Sequence, residues 1–331
     1  MSRSRLGTRR THPGPTKPVF PTIVGQTILN SHSSPMGRAS TSTSASSGFR
    51  VRGRKLFVVL RLILLMIATT PTNATQPLRH NGLAEVQRLQ SLVETEGACS
   101  LPGCTLIFDR FIPVMQRAVI RGFVSLPHAQ HTFRSLRFGY TGGAQQDLLE
   151  RSGQRPFRNY PSAIAARAAV TRSLNARIAA GKSLLIGKAS NSLYSSISSR
   201  FASWFMFSLG AVPKAMEPDE WRPVSDHSRS GLNACCDLTH LKHSYDTYND
   251  IAMHLLKGYF MHVSDVKDAF PTLPLAPWLW PFYMCRFFID DADSVLWVIM
   301  HLFADFGGAG WPGEFHLFFS KVVARRGRCG V

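Results

Sequence analysis

Apolar and polar positions repeat with two different periods along the chain, and these periods predict its elements. From Leu83 to Val93, leucine and valine recur every three or four residues, which predicts an amphipathic helix. Pro161–Ala180 has an early serine suited to capping, an alanine-rich body and a glycine after its end, which predicts a second helix. A third helix is predicted over Asp246–Leu256, followed by a strand over Tyr259–Val263.

Short apolar runs separated by polar turns predict two hairpins. Between Gly210 and Asn233, a V-P-K run leads into an acidic turn and then into a returning strand. Further on, strand-like runs at Phe282–Phe288 and Val295–Phe303 flank the acidic turn Asp290–Ser294, which predicts a hairpin with a polar tip. The predicted elements include both helices and strands, so we expect a mixed α/β (α+β) chain.

The pattern also divides the chain into three parts. Residues 1–81 form a basic leader, and the first 55 contain no acid but many arginine, serine, threonine and proline residues, so we expect this leader to be disordered. Residues 82–160 form a helical and irregular N-terminal extension, and 161–331 form the part that carries the motifs described below. The role of the leader stays open between a nucleic-acid-binding tail, a transit-like leader and sequence without a folded role.

One apolar run raises the question of a membrane anchor. Leu56–Ala68 is apolar but is interrupted by Arg61, and it is shorter than the roughly 20 residues that a membrane-spanning helix needs. It also starts too far into the chain for a secretory signal. We therefore treat a membrane anchor as the minor alternative.

The amino-acid composition indicates which kind of molecule the chain binds. The 331 residues are 44% hydrophobic, enough for a sizeable core, and the formal charge of +18 points to a polyanion such as nucleic acid. Six cysteines without a C-x-x-C pair argue against structural zinc and favour a reducing, intracellular compartment, cytoplasm or nucleus. The arginines of the predicted helix are open to two interpretations, a flank for a nucleic-acid backbone or a solvated face: Arg167, Arg172 and Arg177.

The central candidate for chemistry is Met261–Leu275, which reads M-H-V-S-D-V-K-D-A-F-P-T-L-P-L. The predicted strand delivers Asp265 to its end, where a carboxylate is costly unless something pairs with it, and a bound cation is the usual partner. A buried strand with a capped turn is the alternative. The spacing D-x-x-D-A-F, followed by P-x-x-P-L, resembles the first palm motif of reverse transcriptases.

That resemblance implies roles for five residues. Asp265 would be the catalytic residue and metal ligand, and the main-chain carbonyl of Val266 would add a second ligand. The amides of Asp268 and Ala269 would face the triphosphate of an incoming nucleotide. Phe270 would lie under the sugar and clash with a 2′-hydroxyl, which implies a preference for deoxynucleotides.

The hairpin at Gly210–Asn233 resembles the fingers of the same family, where a V-P-K strand turns back into an R-x-x-x-D strand. A fixed guanidinium offers forked donors to phosphate oxygens, so the resemblance implies that Arg222 holds the triphosphate and that Lys214 assists it. Further residues would brace the fingers strands and the following turn: Asp226, Arg229 and Asn233. A surface hairpin with an ordinary Arg–Asp pair is the alternative.

A third block resembles motif B of reverse transcriptases, F-G-L-x-x-A-P-x-x-F, through Phe306, Gly307, Pro312 and Phe315. Gly307 would let the backbone approach the nucleotide, and a helix beginning near Pro312 would direct Phe315 into the core. A glycine-rich turn before an ordinary amphipathic helix is the alternative. Trp311 departs from the motif, because the family has a small residue there, and its ring is expected to crowd the template or the site.

The second acidic motif of the family is aromatic-x-D-D, and Phe288–Asp291 imitates it. We reject this identification because it precedes the motif B block and fills the turn of a predicted hairpin. With Asp265 alone, the chain is expected to bind Mg²⁺ or Mn²⁺ weakly and not to polymerise by itself.

Three motifs in the right order resemble retroelement reverse transcriptases, of the DIRS-like or a related long-terminal-repeat type. The resemblance implies a partial right-hand polymerase, with fingers and palm built from an antiparallel sheet and packed helices. It implies an RNA template, a DNA primer and a deoxynucleoside triphosphate as partners, while the oligomeric state stays open. The competing hypothesis is a non-catalytic, basic nucleic-acid-binding remnant of a retroelement.

Overall fold

A computed structural model of the chain describes residues 82–106, 108–122, 124–214, 217–242, 247, 249, 268–292 and 294–323. The predicted leader, with its apolar run, lies outside these residues. So do the strand predicted over Tyr259–Val263 and most of the helix predicted before it. Asp265 and Val266 also lie outside them.

The part of the chain that the structure describes begins with four helices: α1 (Gly82–Glu96), α2 (Phe108–Ile120), α3 (Leu126–Phe138) and α4 (Gln146–Glu150). The helix predicted from Leu83 is confirmed as α1. Its buried residues are Val86, Leu89 and Val93, which recur at the three- and four-residue spacing of one helix face.

The helix predicted over Pro161–Ala180 is present but divided. It consists of α5 (Pro161–Ala165) and α6 (Arg167–Ala179), separated by Ala166 at φ −96° and ψ 30°. Ser162 does not cap it, because Pro161 already occupies the first turn and the Ser162 hydroxyl accepts a hydrogen bond from the Ala211 amide at 3.2 Å. That bond ties α5 to the strand that carries Ala211.

Seven strands within the described residues form two sheets: β1 (Gln154–Pro156), β2 (Ser183–Lys188), β3 (Trp204–Met206), β4 (Ser208–Lys214), β5 (Glu217–Asp226), β6 (Met284–Phe287) and β7 (Trp297–His301). The larger sheet has the order β1-β3-β6-β7-β2, and the smaller one pairs β4 with β5. A helix, α7 (Asn191–Arg200), connects β2 to β3.

The larger sheet is mixed, whereas we expected an antiparallel one. Strands β6, β7 and β2 pair antiparallel, but β1 pairs parallel with β3, and β3 pairs parallel with β6. Parallel neighbours require a crossover, and the helices between β1 and β3 provide it. The sequence pattern missed β1 and β3 because each has only three residues.

Both predicted hairpins are confirmed. Strands β4 and β5 pair antiparallel, with Val212 opposite Arg222. Strands β6 and β7 form the second hairpin, and Asp290 and Asp291 are exposed in its turn. A short helix, α8 (His227–Ser230), follows β5, and α9 (Trp311–Val323) begins one residue before Pro312.

The larger sheet separates two apolar cores. Along β7, Val298 and Met300 face the core that holds α1 to α4 and Trp311, whereas Ile299 faces the core under α5, α6 and β4. The Trp311 ring is fully buried in the first core, so our expectation that it crowds the site is wrong. None of the helices in the described part of the chain has the length and apolar content to cross a membrane.

Two adjacent leucines in α4 provide a matched test of this packing. Leu149 is fully buried, and we expect Leu149→Ala to lower the free energy of unfolding by about 2–5 kcal/mol, since it leaves a cavity. Leu148 is 40% exposed, so Leu148→Ala should cost below about 1 kcal/mol. Urea denaturation measures the free energy of unfolding of both variants. Equal decreases in the two would contradict the packing of α4.

Candidate functional site

The three motif blocks meet at the side chain of Phe306. The Arg222 guanidinium lies 5.7 Å from the centroid of the Phe306 ring. The same ring lies 5.2 Å from the ring of Phe270, which is itself 6.1 Å from that of Phe315. Residues that are far apart in sequence therefore line one partly exposed surface, with Phe306 38% exposed between them.

The alternation of β4 and β5 explains why Arg222 faces outward. Leu209 and Ala211 are buried in the core beneath the hairpin, and Ala211 pairs with Pro223. Arg222 is the next residue along β5, so it lies on the opposite face, where Val212 is 48% exposed. Arg222 is exposed, and among the side chains that the structure describes no carboxylate lies within ion-pairing distance of its guanidinium.

Lys214 lies on the same face but has a partner. Its Nζ is 3.6 Å from Oε2 of Glu220. Glu220 and Arg222 are two residues apart on β5, so their side chains share a face. Lys214 can assist an anion at Arg222 only by giving up part of its contact with Glu220, and such exposed ion pairs are weak.

Gly307 permits a close approach between the turn after β7 and β5. The Ser225 amide donates to the Phe306 carbonyl at 3.0 Å. Gly307 has φ +134°, and a Cβ there would overlap the Ser225 carbonyl oxygen. Asn233 closes the same turn: its Nδ2 donates to the Gly307 carbonyl at 3.0 Å, and its Oδ1 accepts from the Ala309 amide at 2.9 Å.

Asp226 and Arg229 secure the end of β5. The Asp226 carboxylate accepts from the Tyr160 hydroxyl at 2.5 Å and from the Arg229 amide at 2.8 Å, which caps α8. Burial by itself would raise the pKa of Asp226, but these hydrogen bonds lower it. The Arg229 guanidinium lies over the Tyr160 ring at 5.1 Å and the Phe157 ring at 5.8 Å.

The segment after the predicted metal-binding aspartate has an unusual backbone. Asp268 is exposed and has φ +54°, the one left-handed non-glycine residue in the described part of the chain. Aspartate tolerates this conformation better than most residues. The Ala269 carbonyl accepts from the Thr272 hydroxyl at 2.6 Å, which fixes the turn that leads to Phe270.

The described residues offer no metal site of their own. No three histidine, cysteine, aspartate or glutamate side chains among them are grouped so that they could hold a metal ion. The expected ligands, Asp265 and Val266, lie outside the described residues.

Sequence analysis missed a buried polar cluster beneath Phe306. His227 Nε2 and Asp305 Oδ1 are 2.8 Å apart, and both side chains are buried. Arg177, at the end of α6, donates to the carbonyls of Phe303 and Ala304 at 3.0 and 3.3 Å. Its guanidinium therefore turns inward instead of forming a basic flank. The one signal in the sequence was a carboxylate, Asp305, at the end of an apolar run.

The surroundings of Asp305 favour its charged form. Burial alone would raise the pKa of Asp305, but the charge of His227 and its hydrogen bond, with His301 and Arg177 nearby, lower it to about 2. Burial and the Arg177 charge lower the pKa of His301 to about 3, and His301 Nδ1 lies 2.7 Å from the Ser183 hydroxyl. Asp305 is therefore charged, and its hydrogen bond to His227 holds the backbone directly before Phe306.

Two glycines with positive φ test the close approach at Gly307. A Cβ added at Gly122 would have no atom within 4 Å. We therefore expect Gly122→Ala to lower the free energy of unfolding only by the strain of a left-handed alanine, about 1–2 kcal/mol. Gly307→Ala must also displace the Ser225 carbonyl. We therefore expect it to lower the free energy of unfolding by more than about 3 kcal/mol, the upper end of backbone strain. Chemical denaturation of both variants measures this, and equal losses would refute the packing of Gly307 on β5.

The buried carboxylate predicts an acid-dependent stability. Because the pKa of Asp305 is lower in the folded chain than in the unfolded one, its contribution is complete above about pH 4 and is lost as pH falls toward 2. We expect wild type to exceed Asp305→Asn in unfolding free energy at pH 6, and this difference to shrink by about 2 kcal/mol by pH 2. Asp290→Asn, on the exposed turn, is the control. A difference independent of pH would contradict the buried pair.

No protein-family model matches this chain, and no curated protein matches it at a significant level. The resemblance to reverse transcriptases therefore rests on the sequence motifs alone.

Proposed function

We propose that the chain carries the fingers hairpin and part of the palm of a reverse transcriptase-like RNA-directed DNA polymerase. In this proposal β4 and β5 are the fingers strands, and the larger sheet with its helices is the palm. The observation that carries it is the meeting of Arg222 and Phe270 at the ring of Phe306. Each comes from a different motif block, and nothing in the spacing of the blocks requires them to meet.

The ligand that this surface fits is a nucleoside triphosphate. Its phosphates bring about four negative charges, for which an exposed guanidinium supplies paired donors. Arg222 would bind them, assisted by Lys214 and by the amides of Asp268 and Ala269. A residue in a sparsely populated backbone conformation, as Asp268 is, occurs often at ligand sites.

Phe270 would set the sugar preference. Its half-buried ring packs against the rings of Phe306 and Phe315, so it is held from two sides. A fixed ring cannot move aside for a 2′-hydroxyl without loss of these contacts. We therefore propose a deoxynucleoside triphosphate as the preferred ligand.

Asp265 and Val266 would hold the divalent cation, Mg²⁺ or Mn²⁺. When bound, such a cation would neutralise triphosphate charge and activate a primer hydroxyl. The only aromatic-x-D-D sequence in the 331 residues is Phe288–Asp291, whose two aspartates are exposed on the β6–β7 turn. We therefore propose nucleotide binding, with weak metal affinity, and no primer extension by these 331 residues alone.

The second candidate is a nucleic-acid-binding protein without chemistry. The formal charge of +18 favours it, because phosphate backbones bind basic surfaces without a defined pocket. In that case affinity for RNA or DNA would fall steeply with salt, and it would depend on neither Arg222 nor Asp265. Template, primer and nucleotide binding by a polymerase would depend on both.

The test compares arginines at two exposed positions. We expect Arg222→Ala to weaken binding of deoxythymidine triphosphate, with Mg²⁺ present, by about tenfold to a hundredfold, because charged hydrogen bonds are each worth about 1.5–3 kcal/mol. Arg172→Ala, which removes an exposed arginine of α6, is the matched control and should leave the affinity unchanged. Equilibrium dialysis with labelled nucleotide gives both affinities.

Two further results would decide between the candidates. Equal losses in Arg222→Ala and Arg172→Ala, with salt-sensitive RNA binding intact in Asp265→Ala, would reject the nucleotide site in favour of backbone binding. Extension of a primed RNA template by the wild-type chain, abolished in Asp265→Ala, would show that polymerisation needs no second acidic pair.

A further inference from the structure

Residues of α1, α3 and the segment 276–278 line an open cavity, the α1–α3 cavity. Its volume is about 700 Å³, and small-molecule sites in proteins span roughly 300–1,000 Å³. None of the residues that line it belongs to the candidate site around Phe306. The cavity therefore offers space for a ligand other than the one bound at the proposed nucleotide site.

Backbone contacts fix one wall of the α1–α3 cavity, to which Gly139 and Ala276 belong. The Tyr140 amide donates to the Pro274 carbonyl at 2.7 Å, and the Ala276 amide donates to the Tyr140 carbonyl at 3.0 Å. Gly139 has φ +89°, and a Cβ there would overlap the Ala276 backbone. Since folding alone forms this wall, binding of a ligand requires little further ordering of the chain.

One face of α3 contributes most of the chemistry of the cavity. Four of its residues line the cavity at the three- and four-residue spacing of a single helix face: His131, Arg134, Ser135 and Phe138. The Phe138 side chain is 55% exposed, and the half-buried Trp278 lines the same space. A flat apolar molecule bound here would remove surface of both rings from water.

The Ser135 hydroxyl lines the cavity without a protein partner. Ser135 is only 7% exposed, yet no described residue forms a hydrogen bond with its hydroxyl. The neighbouring Thr132 hydroxyl, by contrast, donates to the His128 carbonyl at 3.1 Å. Buried hydroxyls almost always have a partner, so Ser135 is a hydrogen-bond donor in need of a ligand.

Glu314 on α9 fixes the direction of the His131 ring. His131 Nε2 lies 2.9 Å from Glu314 Oε2, and the Glu314 side chain is 1% exposed. This hydrogen bond raises the pKa of His131, although burial and the nearby Arg134 charge oppose it. A protonated imidazole donates from both nitrogens, so Nδ1 remains as a donor to a ligand while Nε2 holds Glu314.

Hydrogen-bond donors outnumber carboxylates along the cavity. Arg134 is exposed, and the described part of the chain places no carboxylate within ion-pairing distance of it. Its guanidinium offers paired donors that match the two oxygens of a carboxylate. The lining includes one acid, Glu94 on α1, against the three donors on α3. This balance favours an anionic ligand over a cationic one.

We propose that the α1–α3 cavity binds a small aromatic carboxylate, a flat ring system that carries one carboxylate group. The rings pack against Phe138 and Trp278. The carboxylate accepts hydrogen bonds from the donors of α3, chiefly from Arg134 and Ser135. Neither half of such a ligand suffices, because the rings alone leave the donors unpaired and a carboxylate alone buries no apolar surface.

Equilibrium dialysis of the full chain against 2-naphthoate, measured by the fluorescence of that compound, tests the proposal. We expect saturable binding of one molecule per chain. Arg134→Gln should weaken it about tenfold, because a charged hydrogen bond is lost, and Ser135→Ala about threefold, because a neutral one is lost. Neither variant removes a hydrogen bond between side chains of the folded protein. The uncharged analogue 2-naphthylmethanol should bind about tenfold more weakly than 2-naphthoate.

Two control variants separate this site from the rest of the molecule. Arg121→Gln removes an exposed arginine directly after α2 that does not line the cavity, and it should bind 2-naphthoate as wild type does. Arg222→Ala should do the same, so failure of the proposed nucleotide site would not affect this result. Equal affinities in wild type, Arg134→Gln and Ser135→Ala would overturn the proposal. So would tighter binding of 2-naphthylmethylamine, since the cavity would then select a cation.

Discussion

The arrangement of the candidate site depends on one close approach, that of the turn at Phe306 and Gly307 to strand β5. The Ser225 amide donates to the Phe306 carbonyl, and Gly307 leaves no side chain to obstruct the contact. Because Arg222 lies three residues before Ser225 on the same strand, this approach brings the guanidinium to the Phe306 ring. The ring of Phe270, which belongs to the first palm-like motif, contacts the same Phe306 ring. Without the contact between Gly307 and Ser225, the three motifs would lie apart even though the sequence of each stayed intact.

Buried charge beneath the turn reinforces this approach. Asp305 is adjacent to Phe306 and is held by His227, which begins the short helix after β5. Arg177 adds hydrogen bonds to two carbonyls just before it. A buried hydrogen-bonded pair of this kind contributes little net stability by comparison with apolar packing, but it is strict about geometry, because Asp305 without His227 would be an uncompensated buried charge. The cluster therefore accounts for a defined position of Phe306 rather than for the stability of the whole fold.

Sequence periodicity predicted those helices and hairpins that depend on residues close together in the chain. It found α1 and the two hairpins, while the motif resemblance gave the start of α9 and selected Arg222, Phe270 and Gly307. It missed β1 and β3, because three residues carry no period, and their parallel pairing depends on distant strands. It also missed the role of Asp305, since a buried charge pair joins residues 78 positions apart and leaves no local signal. Asp265 and Val266 remain predictions, as they lie outside the described residues.

We propose that Arg222 and Phe270 contact one bound nucleotide. A double-mutant cycle on the affinity for deoxythymidine triphosphate tests this directly, with Arg222→Ala, Phe270→Ala and the double variant measured against wild type. If both residues serve one site, the two losses will be non-additive by at least about 0.5 kcal/mol, because such coupling appears between groups that share a partner. Strictly additive losses, or no loss in either variant, would contradict the account.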